Sequence, residues 1–147
     1  MLDDLTLRSA TELSALITGG QLSPVEITQQ FIDCAKRFGR LNAYITLDED
    51  GALQAAKTAE EELARGSIRG PLHGLPVAVK DQFDAKGLRT TAGGNILNYV
   101  AAEDATAVAR LRDGGAILLG KLNLSEYALG GNVQHPFGVP HNPWDET

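Results

Sequence analysis

A chain of 147 residues with 43% hydrophobic and 22% charged residues has the size and composition of a single globular domain. Its formal net charge is −6 and it has no lysine–arginine block, which argues against a nucleic-acid surface and a cationic membrane helix. No apolar run approaches the roughly 20 residues that span a bilayer. Met1–Asp4 lacks the pattern of a secretory signal, and Cys34, the single cysteine, has no partner for an internal disulfide. We therefore expect a cytoplasmic protein without direct nucleic-acid or membrane contacts.

Two capping motifs predict helices in the first third of the chain. Ser9–Glu12 forms a capping box, and we expect Gly19–Gly20 to end the helix that it opens. Ser23–Glu26 predicts a second helix, with serine as N-cap and proline in the first helical position. Apolar residues then recur at helical spacing up to Gly39. Cys34 lies in this stripe and is interpreted as a small core residue, since no basic neighbour favours its thiolate.

The middle of the chain predicts one short strand and one long helix. Tyr44–Leu47 is the strand candidate. Asp50–Arg65 is rich in alanine and glutamate, which favour helix, and Gly66 is expected to close it.

From residue 75 the pattern indicates a strand, a helix and a second strand. Leu75–Lys80 is the first strand, Asp104 is expected to cap the helix, and Ala116–Leu119 is the second strand. This order is typical of an α/β unit with largely parallel pairing. Ser125–Leu129 predicts a short helix, and the composition of Asn132–Thr147 indicates a proline-rich loop.

Lys80 is the residue best suited to chemistry. It ends an apolar, β-branched strand, where an amine is expected to be poorly hydrated. Desolvation favours the neutral amine of a lysine, and a neutral amine can act as a base. The alternative interpretation is a lysine that simply extends from a strand end into water.

Two other patterns suggest binding sites but lack essential parts. Gly115–Lys121 fits the first seven positions of a phosphate-binding loop, yet Leu122 stands where serine or threonine should hold magnesium. The apolar residues between its glycines favour a strand, so a nucleotide-binding module is the weaker interpretation. The three histidines, His73, His135 and His141, lack the close ligand pairs of zinc sites, and we expect no metal.

Six motifs, in order, resemble the amidase signature family, and the resemblance covers nearly the whole chain. Leu72–Asp81 is similar to the lysine segment of that family. The other five motifs follow at the family's rough spacing: Thr90–Gly93, Glu103–Thr106, Gly115–Lys121, Asn123–Ala128 and Asn142–Asp145.

The resemblance implies carboxamide hydrolysis by a Ser–Ser–Lys triad. One serine is the nucleophile, a second serine in a cis peptide relays its proton, and the lysine position is Lys80. The loop that helps to shape the acyl pocket maps onto Leu129, Gly130 and Gly131, which are therefore expected to bind substrate. The implied substrate is a small or aryl amide, and no metal or organic cofactor is implied.

In the family, a glycine-serine segment that carries both serines would follow shortly after Asn142–Asp145, and residues 1–147 do not contain it. We therefore expect residues 1–147 to be the N-terminal portion of a single, incomplete amidase domain. The expected fold class is α/β, the N-terminal part of the amidase signature fold, with helices packed on an incomplete mixed sheet. The isolated chain is expected to be inactive, and to self-associate or to complement a C-terminal chain.

Two alternatives to a hydrolase remain open on the resemblance. The first is the ammonia-releasing amidase subunit of a glutamyl-tRNA amidotransferase. The second is a non-catalytic module that complements another chain.

Overall fold

The computed structural model describes residues 5–130 and 135–145. The helices of this part are α1 Ala10–Thr18, α2 Pro24–Arg37, α3 Glu49–Ala64 and α4 Thr106–Asp113. The strands are β1 Tyr44–Leu47, β2 Pro76–Lys80, β3 Arg89–Thr90, β4 Tyr99–Val100 and β5 Ile117–Leu122. Short 3-10 helices occupy Leu5–Leu7, Gly39–Leu41 and Glu126–Ala128. Among the described helices, none has the length and apolar character needed to cross a membrane.

The first two helices begin at the predicted caps. The Ser9 side chain accepts the Glu12 amide, and the Glu12 carboxylate accepts the Ser9 amide at 2.8 Å. The hydrogen bonds from the Ser9 side chain and amide lower the pKa of Glu12. The hydroxyl oxygen of Ser23 accepts the amides of Val25 and Glu26 at 3.0 and 3.2 Å. Both N-cap predictions are confirmed because capping is decided within a few neighbouring residues.

The start of α4 differs from the prediction. Its N-cap residue is Ala105, and no side chain caps the helix, so the assignment of Asp104 as the cap is wrong. The Asp104 carboxylate is engaged elsewhere: it accepts the Lys86 amide at 2.6 Å and lies 3.4 Å from the Arg112 guanidinium. Asp104 therefore joins the loop after β2 to the last turn of α4.

The main sheet has three strands in the order β1-β5-β2. β5 pairs antiparallel with β1 and parallel with β2, so the sheet is mixed. Because α4 lies between β2 and β5 in the chain, these three elements form the predicted α/β unit. A separate antiparallel pair, β3 with β4, was not predicted.

Central strand β5 is buried on both faces. Ile117 and Leu119 pack with residues of α2 and α3, whereas Leu118 packs with Ala85 and with Val108 of α4. A strand covered on both sides has no solvent-facing positions, which explains the uninterrupted apolar run that precedes Gly120 in the sequence. A further cluster between α1 and α2 contains Leu13, Ile17, Leu22, Ile27 and Leu75.

Candidate active site

Lys80 is the last residue of β2, an edge strand of the sheet, and its side chain is exposed. The preceding residues Val77 and Val79 pack against the cluster around Val108. The expectation that Lys80 is poorly hydrated is therefore wrong for the part of the chain that the structure describes. The apolar character of β2 reflects the packing of its valines, and the strand carries the lysine beyond that packing.

Asp81, the next residue, is fully buried. Its Oδ2 accepts the Thr91 hydroxyl, the Thr91 amide at 2.9 Å and the Gly93 amide at 3.5 Å. Its own amide donates to the Leu122 carbonyl at 3.0 Å. Asp81 thus ties the end of β2 both to the turn at residues 90–94 and to β5.

Lys121 supplies the opposite charge. Its Nζ lies 3.1 Å from Asp81 Oδ1, and both side chains are 0% exposed. The amine also donates to Thr90 Oγ1 at 3.0 Å and to the Arg89 carbonyl at 3.1 Å. The sequence motifs alone did not reveal this role. The signal that could have identified it is the apolar run of β5, since a lysine in a strand buried on both faces needs a buried partner.

The phosphate-binding interpretation of Gly115–Lys121 has no geometric support. Ile117–Leu122 is a strand that overlaps the predicted strand Ala116–Leu119, and the Ile117 amide donates to the Leu75 carbonyl at 2.8 Å. The Lys121 amine is engaged by Asp81. A phosphate-binding loop needs free amides and a free lysine, and here both are occupied.

Left-handed backbone conformations are found where two turns meet beside this ion pair. Ala92 has φ 52°, and Tyr127 and Ala128 have φ 52° and 58°. The Tyr127 amide donates to the Ala92 carbonyl at 2.8 Å, which joins the turns. The predicted helix over Ser125–Leu129 is therefore only a distorted 3-10 turn over Glu126–Ala128. Such conformations in non-glycine residues are strained and often occur at functional sites.

Leu129 and Gly130 follow this strained turn directly. Leu129 is 68% exposed, and its amide donates to the Glu126 carbonyl at 3.1 Å. Gly131, the third expected substrate-binding residue, lies outside the described residues. A chain of contacts runs from Lys80 through Asp81, the 90–94 turn and Tyr127 to this segment.

The histidines have structural partners or lie in loops. His73 is fully buried, with Nε2 3.1 Å from the Ala59 carbonyl and Nδ1 accepting the Arg69 amide at 3.3 Å. The His141 amide donates to the Leu41 carbonyl at 2.9 Å. Over residues 5–130 and 135–145, no three His, Cys, Asp or Glu side chains are grouped to hold a metal ion.

Comparison with known proteins gives matches along most of the chain. The family model described as Amidase matches residues 26–147. A glutamyl-tRNA(Gln) amidotransferase subunit from Salinispora tropica is 44% identical over 145 residues, which are 97% of this chain and 30% of that protein. The corresponding mitochondrial subunit from Homo sapiens is 42% identical over 139 residues, 93% of this chain and 26% of that protein.

Solved structures agree with this result. A crystal structure of an amidase superposes with a TM-score of 0.86 at 40% identity. The match covers 95% of this chain and 32% of the chain in that structure. The peptide amidase from Stenotrophomonas maltophilia gives a TM-score of 0.87 at 34% identity. This match covers 95% of the present chain and 31% of the peptide amidase chain. The chain spans about 30% of the length of the curated relatives that it matches. The family model, the relatives and the fold agree, and the chain belongs to the amidase family.

Proposed function

We propose that residues 1–147 form the N-terminal part of an amidase domain, which hydrolyses a carboxamide through an acyl-serine intermediate with Lys80 as the base. The observation that carries this proposal is the position of Lys80. Its side chain is exposed at the end of β2, while the next residue is held by a buried ion pair. A general base needs an accessible amine on a fixed main chain, and this arrangement meets both requirements.

In the proposed reaction, the neutral Lys80 amine takes a proton from a relay serine, which takes the proton of the nucleophilic serine. The serine oxygen attacks the carboxamide carbon and forms a tetrahedral intermediate. Its collapse breaks the C–N bond, and the leaving nitrogen receives the proton back through the relay serine. Water then attacks the acyl ester with the same lysine as base. The ester C–O bond breaks, the serine oxygen takes its proton back through the relay serine, and the carboxylic acid is released.

Both serines come from outside residues 1–147 in this proposal. After Ser67, the only serine in the sequence is Ser125, and its carbonyl accepts the Ala128 amide at 2.7 Å within the strained turn. A serine segment docked beside β2 would cover the Lys80 side chain and displace water from it. Residues 1–147 alone are accordingly proposed to be inactive.

The acyl part of the substrate is assigned to the segment Leu129, Gly130 and Gly131. Leu129 presents an exposed apolar side chain next to the strained turn. An apolar side chain beside glycines suits the acyl group of a small or aryl amide, because the glycines allow close approach to the backbone. The proposed reaction uses no metal or organic cofactor, and the proposed location is the cytoplasm.

The test uses a chain in which residues 1–147 are joined to the serine segment. Lys80→Ala should lower the release of ammonia from a small aryl carboxamide by roughly 100-fold or more. Lys36→Ala is the matched control, since Lys36 is an exposed lysine whose amine lies 2.8 Å from Glu49. Full turnover by the Lys80→Ala variant would refute the assigned base.

A second candidate function is supported by the curated relatives, which are named as glutamyl-tRNA(Gln) amidotransferase subunits. In that role the same acyl-serine step would release ammonia to a partner protein instead of to water. Purification of the protein from its own cell decides between the two functions. A second protein that co-purifies at a fixed ratio supports the amidotransferase role, and a single active chain supports the hydrolase.

A further inference from the structure

The ion pair between Lys121 and Asp81 lies entirely inside the protein. Both side chains are 0% exposed, and the two charged atoms are 3.1 Å apart. Such a pair adds little net stability compared with apolar residues of similar volume, because the loss of hydration offsets the attraction between the charges. The parts of the chain that the pair holds together indicate its role better than any contribution to stability.

The Lys121 amine holds the end of β2 against β3. It contacts the Asp81 side chain, the Thr90 hydroxyl at 3.0 Å and the Arg89 carbonyl at 3.1 Å, and it lies 3.4 Å from the Asp81 carbonyl. Thr90 is itself buried. The three N–H donors of the ammonium group are therefore directed at acceptors from two separate segments.

The carboxylate of Asp81 holds the turn that follows β3. The amides of Thr91 and Gly93 converge on its Oδ2, at 2.9 and 3.5 Å. Between these two residues Ala92 adopts a left-handed conformation, and its carbonyl accepts the Tyr127 amide at 2.8 Å. The carboxylate thus fixes the backbone conformation that presents Ala92 to the turn before Leu129.

The same pair restrains the main chain of Lys80. The Asp81 amide donates to the Leu122 carbonyl at 3.0 Å, and the Asp81 carbonyl faces the Lys121 amine. Lys80 is paired in register with Leu122, the residue after Lys121. The chain immediately after Lys80 is therefore held at its amide, its carbonyl and its side chain.

A bulge in β5 precedes Lys121. The register between β2 and β5 shifts between Val77 and Val79, and Gly120 has φ 151°, a conformation that side chains rarely adopt. A side chain at residue 120 would collide with the Thr46 carbonyl of β1. Bulges redirect the side chains that follow them, and this one precedes the lysine whose amine reaches the end of β2.

We infer that Lys121 is a positioning residue. Acting through Asp81, it holds Lys80 in a fixed position relative to the contact between Ala92 and Tyr127 and relative to Leu129 and Gly130, which follow that contact in the chain. The inference rests on the proposed role of Lys80 as the base. Lys121 touches neither substrate nor reacting atoms in this arrangement. Its effect is on the geometry of catalysis, where displacements of about 1 Å are enough to lower a rate by roughly 100-fold.

The test compares the double variant Lys121→Met/Asp81→Asn with Lys36→Met in the chain that carries the serine segment. The double variant removes both buried charges together, so no unpaired charge is left to unfold the protein. We expect it to lower kcat at least 10-fold with little change in KM, and to lose hydrogen-exchange protection at the Thr91, Gly93 and Tyr127 amides. Lys36→Met should change neither quantity. A folded double variant with unchanged kcat and unchanged protection overturns the inference.

Two further variants complete the test: one replaces the double variant if that protein does not fold, and the other tests Lys80 itself. If the double variant does not fold, Thr90→Val keeps both buried charges paired and removes only the hydroxyl that accepts from the Lys121 amine at 3.0 Å. A lowered kcat with lost protection at Gly93 then supports the positioning role, and unchanged values refute it.

Lys80→Ala separates this inference from the proposed function. If that variant stays active, the assigned base is wrong, while hydrogen exchange still reports whether Lys121 orders the two turns.

Discussion

Lys80 and Asp81 are adjacent in the chain and lie in opposite environments, one exposed at the end of β2 and the other fully buried. Asp81 is held by Lys121, so the main chain from which the Lys80 side chain extends is fixed. In the proposed amidase, an anchored main chain carries a side chain that is free to meet a partner. The described residues thus hold one side of the proposed catalytic centre in place.

The 147-residue chain should self-associate and show no amide hydrolysis. β1 and β2 are the edge strands of the main sheet over residues 5–130 and 135–145, and several large apolar side chains are exposed, among them Ile96 at 78% and Trp144 at 94%. Unpaired strand edges and apolar surface favour association with another chain. Sedimentation velocity should show species above 15.6 kDa. Addition of a chain that carries the serine segment should restore ammonia release, whereas a stable, active monomer would contradict this prediction.

Gly93→Ala should destabilise the protein more than Gly20→Ala does. Both glycines have positive φ, 72° and 69°, so both substitutions introduce similar backbone strain, roughly 1–3 kcal/mol. A Cβ at residue 93 would also lie 2.5 Å from the Leu124 carbonyl, whereas one at residue 20 meets nothing within 4 Å. The collision should add about 1–3 kcal/mol to the loss in the free energy of unfolding.

Urea unfolding of both variants, in the chain that carries the serine segment, measures this difference. Equal losses would mean that the two turns at residues 93 and 124 do not pack as described. A larger loss for Gly93→Ala, accompanied by lower kcat, would show that this contact also matters to the proposed active site.

The contribution of Glu62 to stability should depend on pH. Its hydrogen bond with Arg69, aided by the charge of that guanidinium, lowers the pKa of the Glu62 carboxyl from its ordinary value of 4.5. A lowered folded pKa means that the stabilisation is present above pH 4.5 and is lost as the pH falls through the folded value. Glu62→Gln should therefore reduce the free energy of unfolding more at pH 7 than at pH 3.

Glu61→Gln is the matched control for this experiment. Glu61 is the neighbouring residue of α3, its side chain is 70% exposed, and it lies 4.0 Å from Arg65. An exposed pair at this distance contributes little to stability. Urea unfolding of both variants at the two pH values should show a pH-dependent loss only for Glu62→Gln, and parallel curves for the two variants would rule out the assigned pairing.

The helices and the main strands could be predicted because their signals are local. The caps at Ser9 and Ser23 and the apolar runs of β2 and β5 each lie within a few residues. The hairpin of β3 and β4 escaped prediction since strands of two residues carry no periodicity. The Asp104 carboxylate pairs with Arg112 and accepts the Lys86 amide instead of capping α4. Capping rules consider only the first residues of a helix, so they did not predict these partners.

The candidate site was predicted less completely than the fold. The resemblance predicts Lys80 as the base, and that role stays a prediction, whereas the exposure of Lys80 follows from the position of β2 at a sheet edge. The burial of Lys121 depends on Asp81, a residue far away in the sequence. The apolar run of β5 indicates that Lys121 needs a buried partner. Local patterns cannot identify Asp81 as that partner, because the pair forms only when the strands are assembled.

The strand order also determines when this part of the protein can assemble during synthesis. β5 is the central strand, yet it is the last of the three strands to leave the ribosome. Until it emerges, β1 and β2 have no partner in the main sheet, and α2 and α3 lack the strand residues Ile117 and Leu119 that complete their shared cluster. Pairing between segments distant in the chain is slow to form, and partly assembled sheets are prone to aggregate. A nascent chain arrested before Ile117 should therefore remain dependent on chaperones, and release of Ile117–Leu122 should mark the start of cooperative folding.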